Sequence, residues 1–440
     1  MATTVLPVPA PQPRPGGSPG PDAGPGPEEQ PPAEGAGPRT DGPRPGHARA
    51  HPGGSPAPAA RPRLRPRSRP LAGRAARGRR FRRVRHLGPN WYAVVMGTGI
   101  VGSAGAGLPV AMPGLRTVCA AMWALSLALL AVLLTARALH WTYHRDRARE
   151  HLRDPGTAPF QGCTAMALVS TGGGTLLVGR DWVGPDVALA LGAALFAAGT
   201  AAALAAAVAV PLLMVVRHRV EEASPVWLLP LVAPMVSAAV GPLLAVRLPP
   251  GQARTTLLAG CLGLFGLSLL AALLVLPLVF GRLVVGGPPV AALTPALLLA
   301  LGPLGQSTTA VNAFADVVPG LPYGGVLAAV YGLPVMGFAL LWLAWSGALV
   351  LRARRRGMGF AMTWWAFTFP VGTCVTGLEG LARHTGLEAL RWAAVVLFGL
   401  LVAGWLAAAS GTVRGLVSGA LPAAPGAAPR GPRRGTARTR

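Results

Sequence analysis

The sequence predicts an all-α membrane protein of ten transmembrane helices, and three observations carry that prediction. Ten long apolar segments fill the chain from about Trp91 to Thr412, each close to the roughly 20 residues that cross a hydrocarbon core. The segments alternate in character: odd ones hold Gly, Pro and small polar residues in mid-span, whereas even ones are mostly Ala and Leu. The arginines between them alternate as well, with twelve in loops that follow even segments and six in loops that follow odd ones.

Span one, 91–108, carries Gly97, Thr98, Gly99 and Gly102, and span two, 115–136, includes the run AAMWALSLALLAVLLT at 120–135. Span three, 161–180, contains STGGGT at 170–175, and span four, 186–214, is rich in Ala. Span five, 226–246, holds Pro230, Pro234 and Pro242, followed by a Leu-rich sixth span at 256–281. Span seven, 293–315, carries Gly302, Pro303, Gly305 and Gln306; span eight, 322–350, breaks the pattern with Pro334 in its middle. Span nine, 361–382, holds Pro370 and Gly372, and span ten, 389–411, returns to Ala and Leu. Lipid offers no partner for a freed backbone group, so interruptions survive only beside other protein or a water-filled path. The alternation therefore predicts five interrupted helices around a passage and five facing outward.

Both termini are expected on the cytoplasmic side, where the better-populated arginine loops lie. Residues 1–83 are Pro-, Gly- and Arg-rich without an apolar run, and 413–440 are similar, so both are expected to be disordered tails flanking one membrane domain at 84–412. No short apolar region follows the start, which excludes an ordinary signal peptide. Arg79-Arg80 serves better as a positive stop before the first span than as an export signal. The formal net charge of +25 is concentrated in the tails and the loops after even spans. Anionic headgroups and orientation account for it, and no motif that reads nucleic acid accompanies the arginines.

Several motifs fit bland readings better than chemical ones. Gly97-Thr-Gly99-Ile-Val-Gly102 matches the dinucleotide fingerprint, but no acidic residue occurs between Trp91 and Arg145 to hold a ribose. Its glycines serve close approach of neighbouring helices or of permeant ions instead. Cys119, Cys163, Cys261 and Cys374 lie singly in four spans, which makes neither a disulfide framework nor a metal site. His140 and His144 have metal-like spacing with Asp146 nearby but no third ligand at fitting distance. No metal or cofactor is expected. An intramembrane enzyme would need an aspartate cluster or a mid-span histidine, and neither is visible.

Buried carboxylates are nearly absent. Of ten acids between Trp91 and Thr412, only Asp316 and Glu379 fall within or at the end of a span. Cation and proton pathways usually depend on such groups; a path without them suits an anion or a neutral solute. Half-helix N-termini at the interruptions would offer N–H groups and a positive dipole end to an anion. Glu379 is the one candidate for proton coupling, with a vestibule residue paired to Arg383 as the plainer reading. Phe369 beside Pro370 is either a packing residue or an apolar constriction that excludes water.

Three segments in order carry a family resemblance: PNWYAVVMGTGI at 89–100, GPLGQ at 302–306 and WWAFTFPVGT at 364–373. Over residues 86–412 the chain resembles the tellurite-resistance/dicarboxylate transporter family of the voltage-dependent anion channel superfamily, which includes fungal sulfite efflux pumps and plant slow anion channels. The resemblance implies five helical hairpins in quasi-fivefold arrangement around a central pore, and a homotrimer with one pore per subunit. It also implies that Phe369, with Pro370, is the pore gate. GPLGQ and FPVGT are closest to the sulfite-pump branch, so sulfite leads narrowly over C4-dicarboxylates such as malate, with chloride, nitrate and tellurite as further candidates.

The expected function is thus anion passage across the plasma membrane, in the direction of efflux, among membrane lipids and without a nucleic-acid partner. Gly97, Thr98, Gly99, Gly302, Pro303, Gly305, Gln306, Gly372 and Thr373 are expected along the path, with Thr98, Gln306 and Thr373 offering polar contacts. A proton-coupled dicarboxylate carrier is the nearest variant.

Overall fold

The computed structural model describes residues 88–421 except 111, 155, 218–221, 319–322 and 420. Residues 1–87 and 422–440, where most of the expected disordered tails fall, lie outside the described residues. Ten principal helices follow one another: α1 (Tyr92–Gly107), α2 (Leu115–Tyr143), α3 (Gln161–Gly174), α4 (Pro185–Arg217) and α5 (Leu228–Ala245), then α6 (Gln252–Gly286), α7 (Leu301–Val317), α8 (Gly324–Arg355), α9 (Thr368–Thr385) and α10 (Glu388–Val417). Each coincides with one apolar segment. α10 runs past 412, where the sequence places the start of the C-terminal tail.

Among the described residues, seven helical runs are long and apolar enough to cross a membrane: the five even helices, and α3 and α5 with their flanking turns. α1, α7 and α9 fall outside that set, because Gly, Thr, Gln, Asn and the charged Asp316, Glu379 and Arg383 dilute their apolar character.

All five odd helices begin with a 3₁₀ segment: Pro89–Trp91, Ala158–Phe160, Pro225–Trp227, Ala291–Ala300 and Met362–Phe367. In the first three a proline stands in the opening turn, where its missing N–H leaves no bond unmade. In α7 and α9 the change from 3₁₀ to α winding falls two residues before Pro303 and Pro370. A proline denies the carbonyl four residues back its α-type partner, and i→i+3 bonding uses the residue ahead of the proline instead.

This corrects the expectation of broken odd helices. α1 continues through Gly97, Thr98, Gly99 and Gly102, and α5 through Pro230, Pro234 and Pro242. Residues 161–183 stay helical because Thr175–Gly179 wind as a π turn after the triple glycine. Half-helix N-termini are therefore not available to an anion here. Nor are prolines confined to odd helices, since α4, α6 and α8 run through Pro211, Pro277 and Pro334.

The inward and outward faces do divide as the alternation implies. The spans of α3 and α5 are 83% and 78% buried, against 22–33% for the even helices. α1 packs on α3, α3 on α5, α5 on α7, α7 on α9, and α9 back on α1. Each even helix packs on the odd helix that precedes it, and α4 and α8 also lie against α5 and α9. Val208, Leu270, Leu274, Val330 and Val396 project from the even helices, a surface suited to acyl chains rather than water.

Between helices the contacts use small residues and side-chain hydrogen bonds, as expected where lipid supplies no hydrophobic drive to association. The Tyr92 hydroxyl donates to the Leu133 carbonyl (3.2 Å), and Ser126 Oγ to that of Val95 (3.1 Å), tying α1 to α2. Trp342 Nε1 reaches the Leu297 carbonyl (2.9 Å) from α8.

Candidate functional site

Two cavities lie at opposite ends of the odd helices, and each is lined by all five of them. At the N-terminal ends a cavity of ≈ 510 Å³, mouth included, is bounded by Met96, Cys163, Leu229, Leu299 and Pro370, one from each span. Its wall is chiefly apolar. At the C-terminal ends a second cavity of ≈ 770 Å³ takes Ser103 and Gly107 from α1, Leu177 from the π turn, and Leu243 from α5. Its polar wall comes from α7 and α9: Thr309, Asn312 and Asp316, with Thr376, Glu379 and Arg383. Arg116, at the start of α2, joins them.

Helical spacing connects the two. Along α7, Leu299 lines the first cavity; Gly302, Gln306, Thr309, Ala313 and Asp316 follow at steps of three or four, the last three in the second cavity. On α9 the equivalent row is Ala366, Phe369, Thr373, Thr376, Gly380 and Arg383, of which Ala366 lines the first cavity and Thr376 and Arg383 the second. Gly302 is buried, yet a Cβ built on it would meet nothing within 4 Å, so it faces an interior void. Gln306 is 5% exposed, and among the described residues no hydrogen bond holds its amide. Phe369, 3% exposed and packed in the hydrophobic core, follows Ala366 by one turn on this row.

Of the expected path residues, the structure sets Gly302, Gln306, Phe369, Pro370 and Glu379 on these rows or in the cavities. Others do packing work. Gly97 lies against Thr368 and Trp365 of the ninth span, and Gly99 against Ser126 Oγ, 2.9 Å from where a Cβ would stand. Gly305 abuts the α9 backbone, where a Cβ would come 2.5 Å from Cys374 N, and Gly372 abuts Ile100 of α1. Pro303 is buried in the first α turn of α7.

Two hydroxyls expected to face the path are engaged elsewhere. Thr98 Oγ1 donates to the Val94 carbonyl (2.7 Å) and accepts from Trp405 Nε1 (3.1 Å), which turns it toward α10. Thr373 Oγ1 donates to the Pro370 carbonyl (2.7 Å) and packs on Gly305. Residue type alone does not fix which way a small side chain points, and both choose a backbone acceptor within their own helix.

Thr309, Asn312, Thr376 and Arg116 were missed in the sequence, and one signal would have found the α7 and α9 members. LGPLGQ at 301–306 and TFPVGT at 368–373 share Pro and Gly at fixed places, 67 positions apart. That offset pairs Gly302 with Phe369, Thr309 with Thr376, Asn312 with Glu379 and Asp316 with Arg383. Two of these pairs touch: Thr309 Oγ1 and Thr376 Oγ1 are 2.7 Å apart, and Arg383 Nη2 donates to Asp316 Oδ2 at 2.9 Å.

The electrostatics of the second cavity are largely compensated. Arg116 pairs with Asp181, and Arg383 and His384 with Asp316. Glu379 remains: it is 5% exposed, its Oε2 lies against Gly107, and its Oε1 is a buried atom without a hydrogen-bond partner. The Asn312 carbonyl oxygen is likewise unpartnered, while its amide donates to the Gly377 carbonyl (3.0 Å).

Comparison with known proteins agrees with this geometry. Residues 86–413 match the voltage-dependent anion channel family. The chain is 27% identical over 324 residues to the sulfite efflux pump of Trichophyton rubrum, covering 67% of this chain and 82% of that one. The pump of Arthroderma benhamiae shows the same identity and coverage. An uncharacterized transporter of Methanocaldococcus jannaschii is 23% identical over 343 residues, covering 77% of this chain and 97% of its own. The match covers the whole membrane domain, so the chain belongs to the voltage-dependent anion channel family, multi-pass plasma-membrane proteins of anion transport that are not enzymes.

Proposed function

We propose that the protein carries a small oxyanion, sulfite foremost, outward across the plasma membrane along the axis of the five odd helices. The observation that carries this reading is the pair of cavities at opposite ends of the odd helices, each lined by all five of them. Ten membrane spans then form five hairpins in quasi-fivefold order, with both termini and the apolar cavity on the cytoplasmic side and the charged cavity outside. The excess of arginines in the loops after even helices supports that orientation. The assembly is a trimer with one path per subunit.

Along the path an anion leaves the cytoplasmic cavity, passes Phe369 opposite the space before Gly302, and meets the Gln306 amide. Beyond it the route enters the second cavity beside Thr309 and Thr376, whose hydroxyls are bonded to each other and to the Gly305 and Thr373 carbonyls. An amide donor that faces a carboxylate-poor interior replaces hydration without trapping the ion on a fixed charge. Phe369 is the constriction, and Pro370 fixes its place one residue after the change of helical winding. Gly97, Gly99, Gly305 and Gly372 serve by holding the helices close; Thr98 and Thr373 steady α1 and α9. With the interior negative, the membrane potential favours anion exit by about 2.3 kcal/mol per charge per 100 mV.

Sulfite leads because two of the similar proteins are sulfite efflux pumps. Flux into proteoliposomes, compared across sulfite, nitrate, chloride, malate and tellurite, tests the assignment; a protein that passes malate and excludes sulfite overturns it.

One observation favours a second reading, a proton-coupled dicarboxylate carrier. Glu379 is a buried carboxyl with an unpartnered oxygen in the charged cavity, placed to exchange a proton with the outside. Glu379→Gln separates the two: a coupled carrier loses its response to an imposed pH gradient, and a channel keeps its flux.

A further inference from the structure

Away from the axis, at the C-terminal end of α2, three buried nitrogen atoms have no acceptor. They are Arg137 Nη1, Gln161 Nε2 and His144 Nε2. Arg137 and Gln161 already touch, since Arg137 Nη2 donates to Gln161 Oε1 at 3.2 Å. That bond fixes the guanidinium fork and the amide side by side, each with an unpartnered NH2 nitrogen. His144 follows Arg137 by two turns at the end of the same helix, its ring 6.1 Å from that of His140. The guanidinium also lies over Trp141, 5.8 Å from the ring. Tyr92 forms the floor: it is fully buried and its hydroxyl is spent on the Leu133 carbonyl, one turn before Arg137.

A guanidinium stays charged in any protein environment, and a buried donor left unmade costs about 1–3 kcal/mol, more for a charged group. Among the described residues no carboxylate pairs with Arg137. Asp154, nearby in sequence, accepts from Gly156 N instead (3.2 Å). A charged fork with an adjacent amide donor and no protein acceptor has the donor set of an oxyanion site.

We infer that Arg137 and Gln161 form a site for a phosphate group near the end of α2. Its setting suits the phosphodiester of an anionic phospholipid: Tyr143 is 43% exposed, Val132 and Leu134 project one to three turns earlier, and Trp141 lies beside the guanidinium. Aromatic and basic side chains together at a helix end mark headgroup depth. Inorganic phosphate presents the same oxygens and is the alternative source.

Native mass spectrometry of the intact protein, titrated separately with phosphatidylglycerol and with inorganic phosphate, tests the site in wild type, R137Q and Q161A. Phosphatidylglycerol is expected to bind wild type at least about tenfold more tightly than R137Q, with Q161A in between. Phosphate binding that falls in both variants while lipid affinity stays constant supports the site and assigns it to the soluble ion. Equal affinity of all three proteins for both probes overturns the inference. Should R137Q not fold, Q161A decides alone: unchanged affinity for both probes overturns it.

Discussion

Helices α7 and α9 follow one backbone plan with different side chains. Both are led in by 3₁₀ turns, change winding two residues before a proline, and press a glycine two residues after it onto the next helix, Gly305 on α9 and Gly372 on α1. The row facing the axis is where they part: Gly302 stands where α9 has Phe369, Asn312 where it has Glu379, and Asp316 where it has Arg383. Positions that set winding and helix separation are kept in both, whereas of the positions that line the second cavity only the Thr309/Thr376 pair is kept.

The sharpest way to break the comparison is to exchange its two kinds of glycine. Gly305→Val places a side chain 2.5 Å from Cys374 N and Thr373 Oγ1, and backbone cannot step aside. Overpacking of this kind costs about 1–3 kcal/mol or more, so folded protein should be largely lost in size-exclusion profiles. Gly302→Ala meets open space and should leave the profile unchanged. Loss of folding in both variants would show that Gly302 also packs.

Next comes the Gly302/Phe369 contrast itself. Phe369→Ala is expected to raise anion flux about tenfold, equivalent to removing about 1.4 kcal/mol of barrier. Adding Gly302→Phe to it should bring the flux back down by closing the path from the opposite helix. Unaltered flux in well-folded Phe369→Ala liposomes removes the gate from α9.

Smaller effects come from the polar members of the pairs. Thr309→Val deletes the 2.7 Å contact with Thr376 and the 3.2 Å bond to the Thr373 carbonyl; interhelical bonds in membranes average about 0.6 kcal/mol. A fall of about a degree in thermal unfolding is expected, together with slower flux. Asp316→Asn should do less still to stability, because its partner Arg383 is exposed and such pairs contribute about 0–1 kcal/mol. Unfolding temperature again reports it.

Most of this architecture is readable from hydropathy. Each of the ten helices falls on its apolar segment, and the richness of Gly and small polar residues in odd spans reports their inward position. The meaning of those residues was less legible. Gly97, Gly99, Gly305 and Gly372 suggest interruptions, yet they mark places where a Cβ would strike the neighbouring helix, and the helices continue through them. Composition cannot separate a glycine that breaks a helix from one that admits a neighbour. Thr98 and Thr373 were expected on the path because they are polar; their bonds to Trp405 and to the Pro370 carbonyl point them elsewhere. Gln306 and Glu379 were easier, being too large and polar to hide between packed helices without a partner.

The 3₁₀ stretch Ala291–Ala300 ahead of α7 has a consequence for chain length. Wound at about 2.0 Å per residue, its ten residues extend roughly 20 Å, where α winding would give about 15 Å. The stretch acts as a measuring rod for the depth of Gln306. Deleting one residue from it would draw the rest of α7 back by about 2 Å and rotate it by roughly 120°. Gly305 would then swing away from its seat on α9 and Gly302 would turn out of the void. A conservative substitution in this stretch is therefore a milder insult than any change in its length.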